Sequence, residues 1–191
     1  MRTDQIIAAL TAQEPPPLAT TSFLDRPGFY AWWASPTRLS DASPLIPPVH
    51  PTASCKWALL YVGIAPKRPS SDGPDRTLAD RVQGDHRNGS IGNSTFRQSL
   101  AALLIGLLDL RPKRGYDRSR IENETALSDW IEEHCRVTMA ECPTPWTVED
   151  EVIRLMRPPL NLKPGYHEFR RQVGKARKTL RELCGVGSQT D

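Results

Sequence analysis

Apolar residues recur along this chain with two spacings, and the spacing assigns most of its elements. Ile6, Ile7 and Leu10 mark a short amphipathic piece. Pro15, Pro16 and Pro17 cannot continue a helix, so residues 1–26 read as a mobile or loosely docked arm. Residues 29–34 and 57–64 are rich in aromatic and β-branched side chains, which suit a pleated surface, and predict two strands of one sheet. Five prolines (Pro36, Pro44, Pro47, Pro48, Pro51) make the intervening 35–54 an irregular excursion. Leu78 and Val82 fit a helix from Thr77 that ends at Gly84 or shortly after. Ser94 is a candidate N-cap for a second helix, whose Phe96, Leu100, Leu103, Leu104 and Leu107 recur three and four apart before Pro112 stops it. Leu127, Trp130 and Ile131 predict a further helix, and 137–140 a third strand. Thr147 with Asp150 resembles a capping box opening a helix that Pro158 and Pro159 end. A basic helix over 166–183 comes last, with Phe169, Val173, Ala176 and Leu180 on one side. Three strands mixed with helices in this order make an α+β fold.

Length and composition narrow this picture only a little. At 191 residues the chain accommodates one domain with trimmings, and 38% hydrophobic with 25% charged residues is ordinary for a globular protein. No apolar run approaches the ~20 residues that span a bilayer, and the first ten residues do not resemble a secretory leader, so the cytoplasm is the expected location. Cys55, Cys135, Cys142 and Cys184 form no C-x-x-C pair and read as reduced, mostly buried thiols. His134 beside Cys135, with Cys142 after them, lacks a fourth zinc ligand.

Charge adds more. The net +3 conceals two basic segments, 111–120 and 163–184, on either side of an acidic stretch. Such a layout suits a protein that meets phosphates along its edges and holds a cation between them, although solvated faces explain the same charges. Candidate backbone contacts are Lys67, Arg68, Arg87, Arg97, Arg114, Arg118, Arg170, Arg171 and Lys175. Arg97 belongs to the polar start of the second helix, a place where backbone amides favour a phosphate.

Short segments then fall in a telling order: Gly28-Phe29-Tyr30, Tyr61-Val62-Gly63, Arg81 with His86 beyond, and Glu149 followed by Pro158 and Asn161. Together they resemble the GIY-YIG nuclease family over roughly residues 27–161. The resemblance implies a small three-stranded antiparallel sheet flanked by helices over 27–162, with the N-terminal arm and a basic C-terminal segment, 163–191, attached. The segment between Tyr30 and Tyr61 is longer than the family's usual hairpin.

The same resemblance assigns roles. Glu149 would hold one Mg²⁺ or Mn²⁺ through a hard oxygen, chosen over Asp150 and Glu151 because Asn161 fixes the register. Tyr30 would act as general base if a cation or a proton acceptor such as His86 lowered its pKa from the ordinary ~10. Arg81 would fork onto the scissile phosphate, Tyr61 would donate to it or orient water, and Asn161 would fix the closing loop. The implied activity is a metal-dependent endonuclease of DNA, duplex first, in a monomer or homodimer. A structure-selective or single-strand nuclease acting on DNA or RNA is one alternative. A binding module that kept the fold and lost catalysis is the other.

Overall fold

The protein is described by a computed structural model, in which residues 2–38, 56–68, 75–162 and 169–186 are placed. Most of the predicted proline-rich excursion, and residues 166–168 of the predicted last helix, lie outside these residues.

The centre is a three-stranded antiparallel sheet in the order β2-β1-β5, formed by β1 (Gly28–Ala34), β2 (Ala58–Ala65) and β5 (Cys135–Glu141). Every residue of β1 is buried, because helices cover both faces. On one face Phe29, Ala31 and Trp33 meet α1 (Thr3–Thr11) and α5 (Glu149–Met156) through Ile6, Leu10, Val152, Ile153 and Met156. On the other, Tyr30, Trp32 and Leu60 meet α2 (Asp80–Arg87), α3 (Thr95–Leu104) and α4 (Glu124–His134). The last helix, α6 (Arg170–Leu183), packs on α3. A two-stranded hairpin, β3 (Pro112–Lys113) with β4 (Arg120–Ile121), closes the segment read from sequence as a basic loop.

Two readings from the sequence are corrected. The N-terminal segment is not loosely docked: Ile6 and Leu10 are wholly buried, Thr3 Oγ1 donates to Glu151 Oε2 at 2.6 Å, and Thr138 Oγ1 donates to the Leu10 carbonyl at 2.9 Å. The prolines end α1 as expected, yet the ended helix still has an apolar stripe to bury, and the outer sheet face receives it. The helix after Thr77 runs a little past Gly84, as the sequence allowed. It continues to Arg87 as a π-helix, with the Asn88 amide donating to the Gln83 carbonyl at 3.0 Å. Thr147 does not cap α5. Its hydroxyl donates to the Thr144 carbonyl within a short 3-10 turn, and Val148 takes the cap position without a side-chain bond. That helix ends at Arg157, in the left-handed region at φ 49°, one residue before the two prolines.

Two features of the sheet shape the surface that carries Tyr30 and Tyr61. Register shifts between Trp32 and Trp33, which pair with Tyr61 and Leu59, so Leu60 is the extra residue of a β-bulge. The bulge turns Leu60 and Tyr61 toward the same core and frees the Leu60 carbonyl to accept from the Leu160 amide at 3.0 Å. Opposite Tyr30 stands Gly63, and a Cβ there would overlap the Tyr30 phenol. Glycine at that position is what lets the ring lie flat across β2.

Candidate active site

Tyr30 and Tyr61 project from the same sheet face as diagonal neighbours, with ring centroids 6.2 Å apart and planes inclined by 29°. His86 stands over both, at 5.2 Å and 6.0 Å between centroids. The Tyr30 hydroxyl and His86 Nε2 are hydrogen-bonded at 2.6 Å, and His86 Nδ1 lies 2.6 Å from Ser94 Oγ. Ser94 meanwhile caps α3, its hydroxyl accepting from the Arg97 amide at 3.1 Å. Tyr30, His86 and Ser94 thus form a continuous buried chain of polar atoms.

The π-helix is the reason this chain can form. The π-helix over Asp80–Arg87 carries His86 past the glycine to where its ring fits between Tyr30 and Ser94. Arg97, with no solvent exposure, donates to the carbonyls of His86 and Arg87 at 3.2 and 3.0 Å and to Glu124 Oε2 at 2.8 Å. Single π turns inside helices recur at functional sites for this kind of re-aiming.

Burial sets the protonation states. Loss of solvent, with Tyr61 and Glu149 in the same sense, pushes the Tyr30 phenol well above its ordinary value, and Arg81 opposes only in part. Burial also drives His86 well below its ordinary value, aided by the cations Arg81, Arg97, Lys67 and Arg76. Both rings are therefore neutral near pH 7. Of the two means of lowering Tyr30, the cation Arg81 acts in that sense but desolvation outweighs it, and the proton acceptor His86 is the group bonded to the phenol.

Arg81, on α2, is anchored by Asp85 one turn on, Nη1 donating to Oδ2 at 2.6 Å, and Arg76 donates to the other oxygen at 2.9 Å. Tyr30, Asp85 and Tyr61 together raise the Arg81 pKa despite its burial, and Asp85 is held ionised by the two arginines in spite of its own. Among the described residues, Arg81 Nε is buried without a hydrogen-bond partner. Next to it a cavity of about 450 Å³ is lined, among the described residues, by Ile64, Pro66, Lys67, Arg68, Arg76 and Arg81, with Asp75 as the one carboxylate. A concave wall on which, among the described residues, four cations face one acid suits an anion of phosphate size.

Of three adjacent carboxylates at the start of α5, Glu149 is the one that acts on Tyr30. Glu151 is engaged by Thr3, and Asp150 is exposed. Among the described residues no group of three or more His, Cys, Asp or Glu side chains converges. One carboxylate acting on Tyr30, with no further cluster of ligands among the described residues, fits Mg²⁺ or Mn²⁺, which keep most of their octahedral shell for water and phosphate, and does not fit a structural zinc.

Asn161 lies just behind the site. Its Oδ1 accepts from the Val62 amide at 3.0 Å and its Nδ2 donates to the Val62 carbonyl at 2.8 Å, so it clamps β2 beside Tyr61. Tyr61 Oη meets Thr95 Oγ1 at 3.1 Å.

This arrangement agrees with what the chain resembles. The GIY-YIG catalytic domain matches residues 28–182, more than half of the sequence. The chain belongs to the GIY-YIG family. Neither a curated relative nor a solved structure matches it. Membership makes this the domain of a nuclease, and no helix among the described residues is long and apolar enough to cross a membrane.

The basic candidates divide. Arg97 is removed from them, since it is buried and spent on carbonyls, Glu124 and Ser128. Arg87 forks onto Glu132 with two bonds of 2.8 Å, which leaves little of its charge for a phosphate. Lys67 and Arg68 are exposed on the cavity rim. Arg114 donates to the Leu183 carbonyl at 3.2 Å and Arg118 to Asn93 Oδ1 at 2.6 Å, both from exposed positions. Arg171 and Lys175 point to solvent, and Arg170 is half-buried. Ser94 and Asp85 are site residues that the sequence reading missed. The spacing of four between Arg81 and Asp85 was a legible signal for an ion pair on one helix face, whereas nothing local tied Ser94 to His86.

Proposed function

We propose that this protein is a metal-dependent endonuclease that hydrolyses phosphodiester bonds in DNA. The observation that carries the reading is the convergence of Tyr30, Tyr61, His86 and Arg81, with Glu149 acting electrostatically on Tyr30 and Arg81 also lining a cation-rich cavity.

Glu149 would hold one Mg²⁺ or Mn²⁺, which when bound supplies positive charge to the phosphate and the departing oxygen. Everything else falls to the chain's own groups. Arg81 engages the scissile phosphate with its guanidinium, held in place by Asp85. Tyr30 takes a proton from the attacking water while passing its own to His86 Nε2, across the 2.6 Å bond already present. In that direction Nδ1 carries the proton that Ser94 Oγ accepts. His86 is a weak acceptor in the free protein, because Arg81 is among the cations that depress it. A phosphate on Arg81 offsets that charge, so His86 becomes more basic when substrate arrives. Tyr61, held by Thr95, orients the phosphate or the water.

The test is incubation of the purified protein with duplex, single-stranded and branched DNA and with RNA, with Mg²⁺, with Mn²⁺ and with chelator. Metal-dependent cutting of duplex DNA is expected. Glu149→Gln should lower it at least ~10³-fold, the scale on which loss of a central charge-stabilising group acts, with unchanged circular dichroism. Undiminished cutting by that variant would remove the assignment.

A further inference from the structure

We infer that Arg177 of α6, oriented by Gln98 of α3, is a second binding point for the substrate strand, gripping a phosphodiester group on the Tyr61 side of the centre. This rests on the nuclease reading above and adds a residue to it. Val173 and Leu180 form the buried stripe by which α6 packs on α3, and Arg177, four residues after one and three before the other, lies on that same face. Arg171, Lys175 and Lys178 are exposed on the others. Both Nε and Nη2 of Arg177 donate to Gln98 Oε1, the Nε bond at 2.9 Å. Gln98 Nε2 is turned toward Ser119 Oγ at 3.3 Å, which leaves its carbonyl facing the guanidinium.

Two features distinguish this contact from a simple clasp between helices. The first is its company. Arg81, Arg87 and Arg97 each pair with a carboxylate, Asp85, Glu132 and Glu124. Arg177 is half-buried against a neutral amide, and among the described residues no carboxylate pairs with it. A guanidinium has five donors, and one amide oxygen occupies two of them. Taking such a cation partly out of water without a counter-charge is unfavourable until an anion arrives. The second is position. Gln98 is one helical turn from Thr95, whose hydroxyl meets Tyr61. Tyr61 acts electrostatically on Arg81 and on Arg177 alike. A strand whose scissile phosphate sits at Arg81 and continues past Tyr61 brings a neighbouring phosphate to Arg177. The planar fork suits its paired oxygens.

The experiment uses the full chain. Binding of a labelled duplex is titrated in chelator over a range of KCl, and steady-state cutting is measured with Mg²⁺, for wild type, Arg177→Gln, Arg177→Lys and Lys178→Gln. Arg177→Gln is expected to raise KM roughly tenfold with kcat within about twofold, and to flatten the salt slope by ~0.9, the share of one phosphate. Arg177→Lys restores the slope without the full affinity, and Lys178→Gln, which removes a neighbouring exposed charge, changes neither. A methylphosphonate scan of the wild-type substrate needs no variant. It should find one phosphate beside the scissile bond whose neutralisation raises KM, and that rise should vanish in Arg177→Gln. Wild-type KM and slope in Arg177→Gln, or additivity with every methylphosphonate, would overturn the inference while leaving the nuclease reading standing. Failure of the wild type to bind or cut any nucleic acid would overturn both.

Discussion

Gly63 shows how a single atom decides whether the centre assembles. Any Cβ at this position overlaps the Tyr30 hydroxyl and ring, which are fixed by β1 behind and His86 in front and have no room to yield. Gly63→Ala is therefore expected to push Tyr30 off His86, lowering cutting by at least ~10²-fold, the range general-base contributions span, while the sheet still forms. Retention of full activity would show that the Tyr30–His86 contact is dispensable. Burial of His86 also makes stability pH-dependent. The folded-state pKa of His86 lies well below its ordinary value, so between roughly pH 6.5 and that lower value the unfolded chain binds a proton that the folded chain refuses. Stability must fall as pH drops through this window and is fully present above it. Thermal melts from pH 8 downward should show a steeper loss in the wild type than in His86→Gln, by up to ~1.4 kcal/mol per pH unit for one proton. Parallel curves would mean that His86 titrates normally. Tyr30 acts at the opposite end: its raised pKa stabilises the fold below about pH 10 and that stabilisation is lost above it.

Helix α1 illustrates what an element owes to its surroundings. Its apolar spacing was legible, but whether the stripe of Ile6 and Leu10 would find a partner depended on the outer sheet face, where Phe29, Ala31 and Trp33 stand bare of any other helix but α5. Ile6→Ala is accordingly expected to destabilise the protein by about 2–5 kcal/mol, as for a buried aliphatic side chain, measured by denaturant unfolding. A loss near zero would restore the loosely docked arm. The strands and α3 were readable for a related reason. Their patterns are local: aromatic and β-branched runs in β1 and β2, and a Ser94 cap followed by three- and four-residue spacing. Where the reading went astray, distant bonds prevailed over local signals. The sequence left open how far α2 runs past Gly84, and the bonds of His86 to Tyr30 and Ser94 accompany its extension to Arg87. Thr147 had the residue type of a cap, but the Thr144 carbonyl, set by the preceding proline turn, captured its hydroxyl.

At the scale of the whole molecule, the motif residues lay in order along the chain, and their order identified Tyr30, Tyr61, Arg81, His86, Glu149 and Asn161 as a set. The support beneath them was not legible, because charge alone does not distinguish an arginine that waits for a phosphate from one that holds the fold together. Arg97 shows the difference. It stands at the N-terminal end of a helix, as a phosphate-binding arginine would, but it joins α3 to the end of α2 through the carbonyls of His86 and Arg87, and to α4 through Glu124 and Ser128. Three helices on the inner face of the sheet meet at one guanidinium. Replacing it with methionine fills similar space but leaves those carbonyls without donors and Glu124 without its cation, and breaking a buried pair in this way costs about 3–5 kcal/mol. Arg97→Met should consequently lower the unfolding free energy by that amount. Under conditions where it remains folded, its salt dependence of DNA binding should match the wild type, since no phosphate contact is lost. The opposite pattern, unaltered stability with a flatter salt slope, would return Arg97 to the binding surface. It would also remove the link by which α4, far from the reacting atoms, holds His86 against Tyr30.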